Sequence, residues 1–597
     1  MQKETHEIIG RIGGDIPRGW EATGLTRDFY ADLSEPIVRQ AVAWQDKDGR
    51  IIDPYVHEET PTATARFVGA LGFLIRAGRC LDLVEVCSKS MEIGCLDLYE
   101  ANRKPLKGAE FYVKELMAGY IALKGRVDGE VLKRWEKHLG GYNPEENYVA
   151  VLAKVKAENI HNFCTFAIAG EAFKKKYGLA DNEGFIDRHI EIQKRLFTEF
   201  GMYRDPHDPM TYDGVPRMNL SLALFAGYRG KHHAFVDEML REGGLTTLLY
   251  MSPTGECPYG GRSNQQNFNE AMIALICEYE ASRYQRQGKL ELAGAFKRMA
   301  RLSALSVKRW LEMTPPRFTK NSFPPDSQHG RQKAYGYYGA YSLLIASQFG
   351  FAHLLADDTI PEKPAPCEAG GYVFRLKDAF HKVFATCQGH HLEIDTNADF
   401  HYDATGLGRF HRTGFPTELG VSCPFVTHPD YLVSRGAAPR NIAIGPGWID
   451  GQGKRRWLAD FTGEKDVAEM EVMEKSAGRV RFKLAYPGIC SRGRVIEEYQ
   501  LDGDGLVISN SIENYSGEFF VQIPLLADNG RETPEIKIEK NAFVVRCGGN
   551  VFKAECLFPQ NTELSLESFE ASNRNGVYKV GFFKAPGGKI TCRLGVR

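Results

Sequence analysis

The chain lacks an excess of charge of either sign: 75 Lys and Arg stand against 76 Asp and Glu in 597 residues, a formal charge of -1. Nucleic-acid affinity is dominated by cations that neutralise phosphates, so this balance argues against a nucleic-acid partner. Paired cysteines are missing too. Thirteen Cys are scattered singly from Cys80 to Cys592 with no CxxC spacing, which reads as reduced thiols and not as a disulfide framework. There is no run of 18 apolar residues, and Met1 to Gly14 holds no basic stretch leading into an apolar one. The expectation is a soluble protein without a membrane span, cytoplasmic as the chain stands and periplasmic or secreted if a signal peptide was removed. The patterns GxGxxG and GxxxxGK[ST] are absent, which excludes the common nucleotide-binding architectures, and no cofactor is expected. What the chain does have is 61 Gly, 26 Tyr and 35 Phe, the composition of a protein with many turns or an aromatic-lined cleft.

At roughly 100–200 residues per domain the length predicts two or three folded units. From about Thr26 to Leu355 apolar residues recur at spacings of three and four, as in Phe67, Ala70, Leu71, Leu74 and Ile75. Similar segments near 108–124, 148–178, 185–200, 217–228, 232–250, 267–287, 290–313 and 333–356 predict ten to twelve helices joined as antiparallel hairpins. No fixed period of 34 or 40 residues repeats, which disfavours a regular solenoid. After the proline-rich stretch Ile360 to Pro366 the period becomes two, as in Arg479-Val480-Arg481-Phe482-Lys483-Leu484, with a turn signal at Asp502-Gly503-Asp504-Gly505. The expected fold class is α+β multidomain: a helical domain over 1–359, a linker at 360–366 and an antiparallel β-sandwich over 367–597.

Polar chemistry concentrates in four loops of the helical half. The first holds His161 and Asn162, two neighbours able to donate to a carboxylate. A second runs from Tyr203-Arg204-Asp205 through Tyr212, Arg217 and Asn219, where a Gly-Val-Pro turn would bring a cation near a phenol. Asp205, His207 and Asp208 are separated by prolines that favour turns, and no further ligand pattern supports a metal there. The densest segment is the third, Ser252 to Glu270, with Tyr259, Arg262 and Asn264. The fourth carries Tyr335, Tyr338 and Tyr341, predicted to share one helix face at i, i+3 and i+6. In the β half, Asp399 to Arg412 contains His401 and His411. All 16 His lie at or before His428, which places the first β strands and their loops against the helical cleft.

Near-neutral charge, aromatic and Arg/Asn-rich loops and no cofactor motif point to carbohydrate, which stacks on aromatic faces and is oriented by amide and guanidinium donors. On the order of helical and β halves, on His161-Asn162, on the Tyr-rich loops and on the His-bearing β segment, the chain resembles polysaccharide lyases of the heparinase II/III and alginate lyase type. Tyr203-Arg204-Asp205, Gly260-Gly261-Arg262-Ser263-Asn264 and Thr405-Gly406-Leu407-Gly408-Arg409 also look similar to lyases acting on L-rhamnose-α-1,4-D-glucuronate ends. The resemblance implies an incomplete (α/α) toroid in the helical half, a uronate-containing oligo- or polysaccharide as partner, and β-elimination as the reaction. It makes His161 and Asn162 the carboxylate-neutralising pair, in the reverse of the usual Asn-His order. It makes Tyr212 the phenolic base, its pKa lowered by Arg217 or Arg262, with Tyr259 and Tyr338 as rivals and His401 and His411 as the histidines supplied by the β domain. Tyr203, Asn219, Tyr259, Asn264, Tyr338 and His411 are the expected substrate contacts. Two other readings compete: an inverting glycoside hydrolase using two of Asp213, Glu256 and Glu270, whose carboxylates would sit about 6.5–9.5 Å apart, and a non-catalytic carbohydrate-binding protein. Neutral overall charge favours short or sparsely charged substrates such as a terminal uronate.

Overall fold

A computed structural model describes residues 2–11, 17, 19–104, 106, 108–148, 155–491 and 493–597. The helical half begins with α1 (Gln2–Ile9), α2 (Asp28–Val42), α3 (Ala63–Arg76), α4 (Val84–Glu100), α5 (Ala109–Leu123), α6 (Gly129–Gly140) and α7 (Pro144–Asn147). It continues with α8 (Phe163–Lys176), α9 (Glu183–Gln193), α10 (Met210–Phe225), α11 (His233–Tyr250), α12 (Phe268–Arg286), α13 (Leu290–Leu311) and α14 (Tyr338–Leu355), and α15 (Pro366–Ala369) leads into the sheets. Six of these form a closed inner ring. α3 touches α5, α5 touches α8, and the series runs on through α10, α12 and α14 back to α3. Their sequences explain the choice: α3 and α14 are buried nearly all round, as a helix surrounded by others must be. Glycines allow the close approach, since a Cβ on Gly72 would sit 3.0 Å from the Gly119 Cα. α6, which buries only Trp135 and Leu139, belongs to the outer layer.

Two of the expected helices differ at their starts. The segment read as one helix over 148–178 begins at Phe163, and its residues 149–154 lie outside the described residues. The stretch read as a Gly-Val-Pro turn is helical: α10 runs through Gly214 and Pro216. Proline removes one N–H and crowds the preceding turn, but tertiary packing overrides that local cost, for α10 is buried along most of its length.

The sheets comprise β1 (Tyr372–Leu376), β2 (Lys382–Cys387), β3 (His390–Asp395) and β4 (Gly406–Arg412), antiparallel in that order. Beyond them lie β5 (Gly445–Ile449), β6 (Arg455–Trp457), β7 (Glu469–Lys475), β8 (Arg479–Cys490), β9 (Gly493–Asp502), β10 (Gly505–Ile512), β11 (Glu518–Asp528) and β12 (Glu535–Ile538), then β13 (Ala542–Cys547), β14 (Asn550–Phe558), β15 (Glu563–Ser572), β16 (Val577–Pro586) and β17 (Lys589–Val596). An eight-stranded sheet, β12-β13-β14-β17-β10-β9-β8-β7, and a five-stranded sheet, β15-β16-β11-β5-β6, contribute to one apolar core, the arrangement of a sandwich.

The sheet β1–β4 is buried on both faces. Tyr372, Phe374, Leu376 and Phe384 join the helical core, whereas Val373, Val383, Ala385 and Cys387 join the sandwich core. Alternation along each strand thus sends one set of side chains into each domain. The proline-rich stretch between the halves is tied down as well: Glu362 accepts from the Thr23 N–H at 3.1 Å and from Arg298 at 2.9 Å, and the Lys363 N–H donates to Gly294 O at 3.1 Å. All thirteen cysteines are free thiols and buried. Among the described residues no helix is long and apolar enough to cross a membrane.

His329 sits where the halves meet, stacked on Phe323 at 4.2 Å and hydrogen-bonded to Ser434 Oγ (3.0 Å) and Asn573 O (2.9 Å). Burial pulls its pKa from the usual 6.5 down to about 4. Between those values the unfolded chain binds the proton and the folded one does not, so this residue contributes stability above pH 6.5 that is lost as the pH falls toward 4, about 3 kcal/mol in all. The stability difference between wild type and His329→Gln should therefore change over that interval and be flat above it, as read from melting temperatures across the pH series.

Candidate functional site

A cavity of about 310 Å³ opens inside the helical ring. Every inner helix supplies its lining from its first turns: Arg66 from α3, Phe111 from α5, Phe163 and Phe166 from α8, Tyr212 and Val215 from α10, Phe268 from α12, Ala340 and Tyr341 from α14. In none of the six does the N-cap residue itself cap the helix with its side chain, although the Gly339 N–H of α14 donates to the Asp53 carboxylate at 2.7 Å and the Met210 N–H of α10 to Gly260 O at 3.0 Å. Six positive dipole ends thus surround one space, an environment that favours an anion. We call it the ring cavity.

One wall is cationic and phenolic. Arg262 stacks on the Tyr212 ring at 4.2 Å, and Arg66 on the Tyr341 ring at 5.0 Å. The Tyr212 hydroxyl donates to that of Tyr335 at 3.2 Å, and the Tyr335 hydroxyl lies 2.8 Å from Ser263 Oγ. Tyr335 and Tyr341 stack at 6.1 Å. Burial raises the Tyr212 phenol well above its ordinary value, with Tyr335 and Tyr341 adding to the effect, and draws both guanidinium groups below theirs without discharging an arginine at neutral pH. Arg262 pairs with Asp205 and donates to Pro206 O at 2.9 Å. Asp205 also accepts from the Asn162 side-chain amide at 2.8 Å, which leaves the Asn162 oxygen buried without a partner. The opposite wall is apolar, with Phe111, Phe163, Phe166, Phe268 and Leu344, and Phe163 stays 42% exposed. Among the described residues no carboxylate lines the cavity.

The loop carrying Arg262 is held tightly. Gly260 and Gly261 have φ of +137° and +69°, and a Cβ on Gly261 would lie 2.3 Å from the Pro209 Cβ, so only glycine fits against the start of α10. Thr62, Ser263 and Gln265 also adopt positive φ, unusual for residues with a Cβ. From the β side, Glu393 accepts from the Tyr259 N–H at 3.0 Å, Asp403 from the Gly261 N–H at 2.8 Å, and Arg409 donates to Cys257 O at 2.7 Å.

Of the residues expected from sequence, Asn162, Tyr212 and Arg262 meet in the ring cavity. His161 is next to it, its Nδ1 unpartnered and its pKa lowered by burial and by Arg195 and Arg262. Arg217 does not approach the Tyr212 hydroxyl. Five residues along a helix turn the side chain by about 140°, and Arg217 is buried on Asp213 (2.5 Å), Thr247 (2.9 Å) and Tyr250 (2.8 Å). Tyr203 is fully buried on Gln193, and Asn219 donates to Thr165 Oγ1 at 3.2 Å. Tyr259 lies under Lys382 at 3.8 Å, and Asn264 donates to Gly261 O at 2.6 Å. α14 begins only at Tyr338, so Tyr335 reaches the cavity from a loop, while Tyr338 turns away to Trp44, Tyr55 and Pro316 O. His411 is buried between Ser252 (3.2 Å) and Ser422 (2.9 Å). These side chains are held by partners elsewhere in the protein, although the amide oxygens of Asn219 and Asn264 are buried without one.

His401 is exposed and lies across the domain junction beside Asp399, 2.7 Å away. Asp213, Glu256 and Glu270, the carboxylates of the hydrolytic reading, are buried in ion pairs with Arg217 or Lys320 and line no part of the ring cavity. Arg66 was not among the sequence candidates. Its signal is present nonetheless: it is the one charged residue in the apolar run Ala63 to Ile75. Among the described residues no group of three or more His, Cys, Asp or Glu is placed to hold a metal ion.

No protein-family model and no curated protein matches the chain. Solved structures do. Heparinase III aligns with a TM-score of 0.54 at 8% identity, over 99% of this chain and 89% of that one. Chondroitin AC lyase from Streptomyces coelicolor A3, solved as a mutant, aligns with 0.52 at 10% identity, over 99% and 82%. The similarity is one of fold, and it extends through the helical toroid and the sheets that follow.

Arg217 gives a direct check on this division between site and scaffold. Arg217→Ala leaves Asp213 charged and unpaired in the interior and should cost ~3–5 kcal/mol, seen as a melting temperature lowered by several degrees.

Proposed function

We propose that the protein is a carbon-oxygen lyase that cleaves a glycosidic bond to a uronic acid by β-elimination. The observation that carries this reading is the ring cavity itself: two arginines, four phenols and the first turns of six helices face one space that has no carboxylate among its described lining residues. The fold likeness to heparinase III and chondroitin AC lyase supports the same chemistry.

A uronate C5 proton is barely acidic while its carboxylate is ionised. Arg66, Arg262 and the Asn162 amide, with the helix termini behind them, stabilise the charge that moves onto the carboxylate as the proton leaves. Tyr212 takes the C5 proton. The C5–H pair becomes the C4=C5 double bond, the C4–O4 bond breaks, and O4 leaves with its electron pair and is protonated. Tyr212, bonded to Tyr335, can return the proton to O4 through the hydroxyl chain that ends at Ser263. An unperturbed phenol has a pKa of about 10, and burial holds the proton of Tyr212 still more firmly, so ionisation calls for positive charge close by, which Arg66 and the Arg262 guanidinium over the ring supply. His161, at the edge of the same loop, steadies the carboxylate end. Within this class the substrate is a short or terminal uronate unit, with exo action on L-rhamnose-α-1,4-D-glucuronate as the finer proposal. A cavity of this size and a chain of near-neutral charge support that choice over a long polyanion.

Incubation with uronate oligosaccharides should raise the ultraviolet absorbance of an unsaturated uronate without uptake of heavy oxygen from labelled water. Hydrolysis with label uptake and no absorbance would overturn the reading. Tyr212→Phe should lower kcat by ~10²–10⁴-fold, and kcat/KM of the wild type should climb as the pH rises above neutrality, because the base acts only when deprotonated. A Tyr212→Phe enzyme with unchanged kcat and a Tyr335→Phe enzyme without activity would transfer the role to Tyr335.

A further inference from the structure

A second cavity, of about 460 Å³, lies at the junction of the two domains. Consecutive residues divide between the two cavities: Gly261 lines the junction cavity and Arg262 the ring cavity. The volume falls within the range of small-molecule sites. Its electrostatics are the reverse of its neighbour's. Asp208, Asp395, Asp399, Asp403 and Glu464 line it, against Lys382 as the one lysine or arginine among the lining residues. Lys382 is committed to Asp395 at 2.7 Å, and Arg204, from outside the lining, to Asp208 at 2.8 Å.

Two features are built for a ligand and not for packing. Asp403 is 3% exposed; one carboxylate oxygen accepts the Gly261 N–H at 2.8 Å, and the other has no hydrogen-bond partner. A buried acceptor left open costs free energy unless something donates to it. Asp399 is clasped by a histidine from each domain, His207 at 3.1 Å and His401 at 2.7 Å, and both rings are exposed on the cavity wall. Burial and the neighbouring Asp395 hold the Asp403 carboxyl above its ordinary value, against the pull of Lys382.

We infer that the junction cavity binds the sugar attached to O4 of the uronate, and that it takes an uncharged, unsulfated pyranose. The inference rests on the lyase reading for the identity of the neighbouring unit. Hydroxyl groups donate to the open Asp403 oxygen and to Asp399, and they accept from the histidines. A sulfate or a second uronate would meet uncompensated carboxylates and be repelled, a selection by like charge. The two cavities thus sort one glycan by charge, anion in the ring and neutral sugar at the junction.

The test reads binding apart from turnover. The ring-proton NMR signals of His207 and His401, assigned with His207→Gln and His401→Gln, are followed in the full-length protein while methyl α-L-rhamnopyranoside or its O-sulfated derivative is added. The neutral glycoside should shift both signals and the sulfated one should not at the same concentration. Asp399→Asn should narrow that preference at least tenfold by admitting the sulfated probe, and Glu464→Gln, on the exposed rim, should narrow it in the same direction if Asp399→Asn fails to fold. Silent histidines with both probes, or equal response to both, would overturn the inference. Histidine shifts without elimination of any uronate substrate would overturn the lyase reading and leave the subsite standing, whereas turnover with silent histidines would do the opposite.

Discussion

The inner helices of the ring all present the same end to one space, and the rest of the site depends on that constraint. Outer helices return the chain between successive inner ones, so the inner six run parallel, and their first turns converge. A helix elsewhere satisfies those N–H groups with a side chain from its own N-cap residue. Here none of the six does, and the positive ends remain directed at the cavity. Arg66 and Arg262 add full charges to the same place. Such an arrangement concentrates positive potential in the cavity without any ligand present.

That arrangement has a cost, met by a seam of buried charge between the domains. Glu256, Glu270, Lys320, Glu393, Arg409, Lys382 and Asp395 are all nearly or fully buried. Taking such groups out of water is expensive, and ion pairs repay it only with good geometry. The geometry is good: Lys320 reaches Glu256 at 3.1 Å and Glu270 at 2.5 Å, and Arg409 reaches Glu393 at 3.2 Å. The strained loop from Gly260 to Gln265 is fixed by these contacts, and with it Arg262. The sheet domain therefore shapes the ring cavity without lining it.

Much of the fold could be read from periodicity, because buried helices and half-buried strands repeat at 3.6 and 2 whatever their neighbours do. The site was legible only in part. Asn162, Tyr212 and Arg262, which share the ring cavity, stand out in the sequence because polar residues crowd loops where helices begin. Tyr203, Asn219, Tyr259, Asn264, Tyr338 and His411 carry the same local signal, yet the fold draws each toward a tertiary partner outside the ring cavity, and no single sequence displays those partners. Arg217 was misplaced by one decision about local structure: a turn would bring it toward Tyr212, and the helix that packing imposes carries it to the other side. Arg66 was hidden because a regular apolar helix draws attention to its spacing and away from its one exception.

The two-faced sheet β1–β4 has a consequence for how the chain becomes a protein at all. Its strands complete two interiors at once, with Phe374 and Phe384 in one and Val373 and Val383 in the other. A slip of one residue in pairing would exchange the two sets and spoil both interiors together. Cut at the proline-rich stretch, the helical half would lose this wall, and the sheet half would lay Tyr372, Phe374 and Phe384 bare to water. Two domains in appearance thus share one partition, and the helical interior is complete only where the strands of the other half are laid against it.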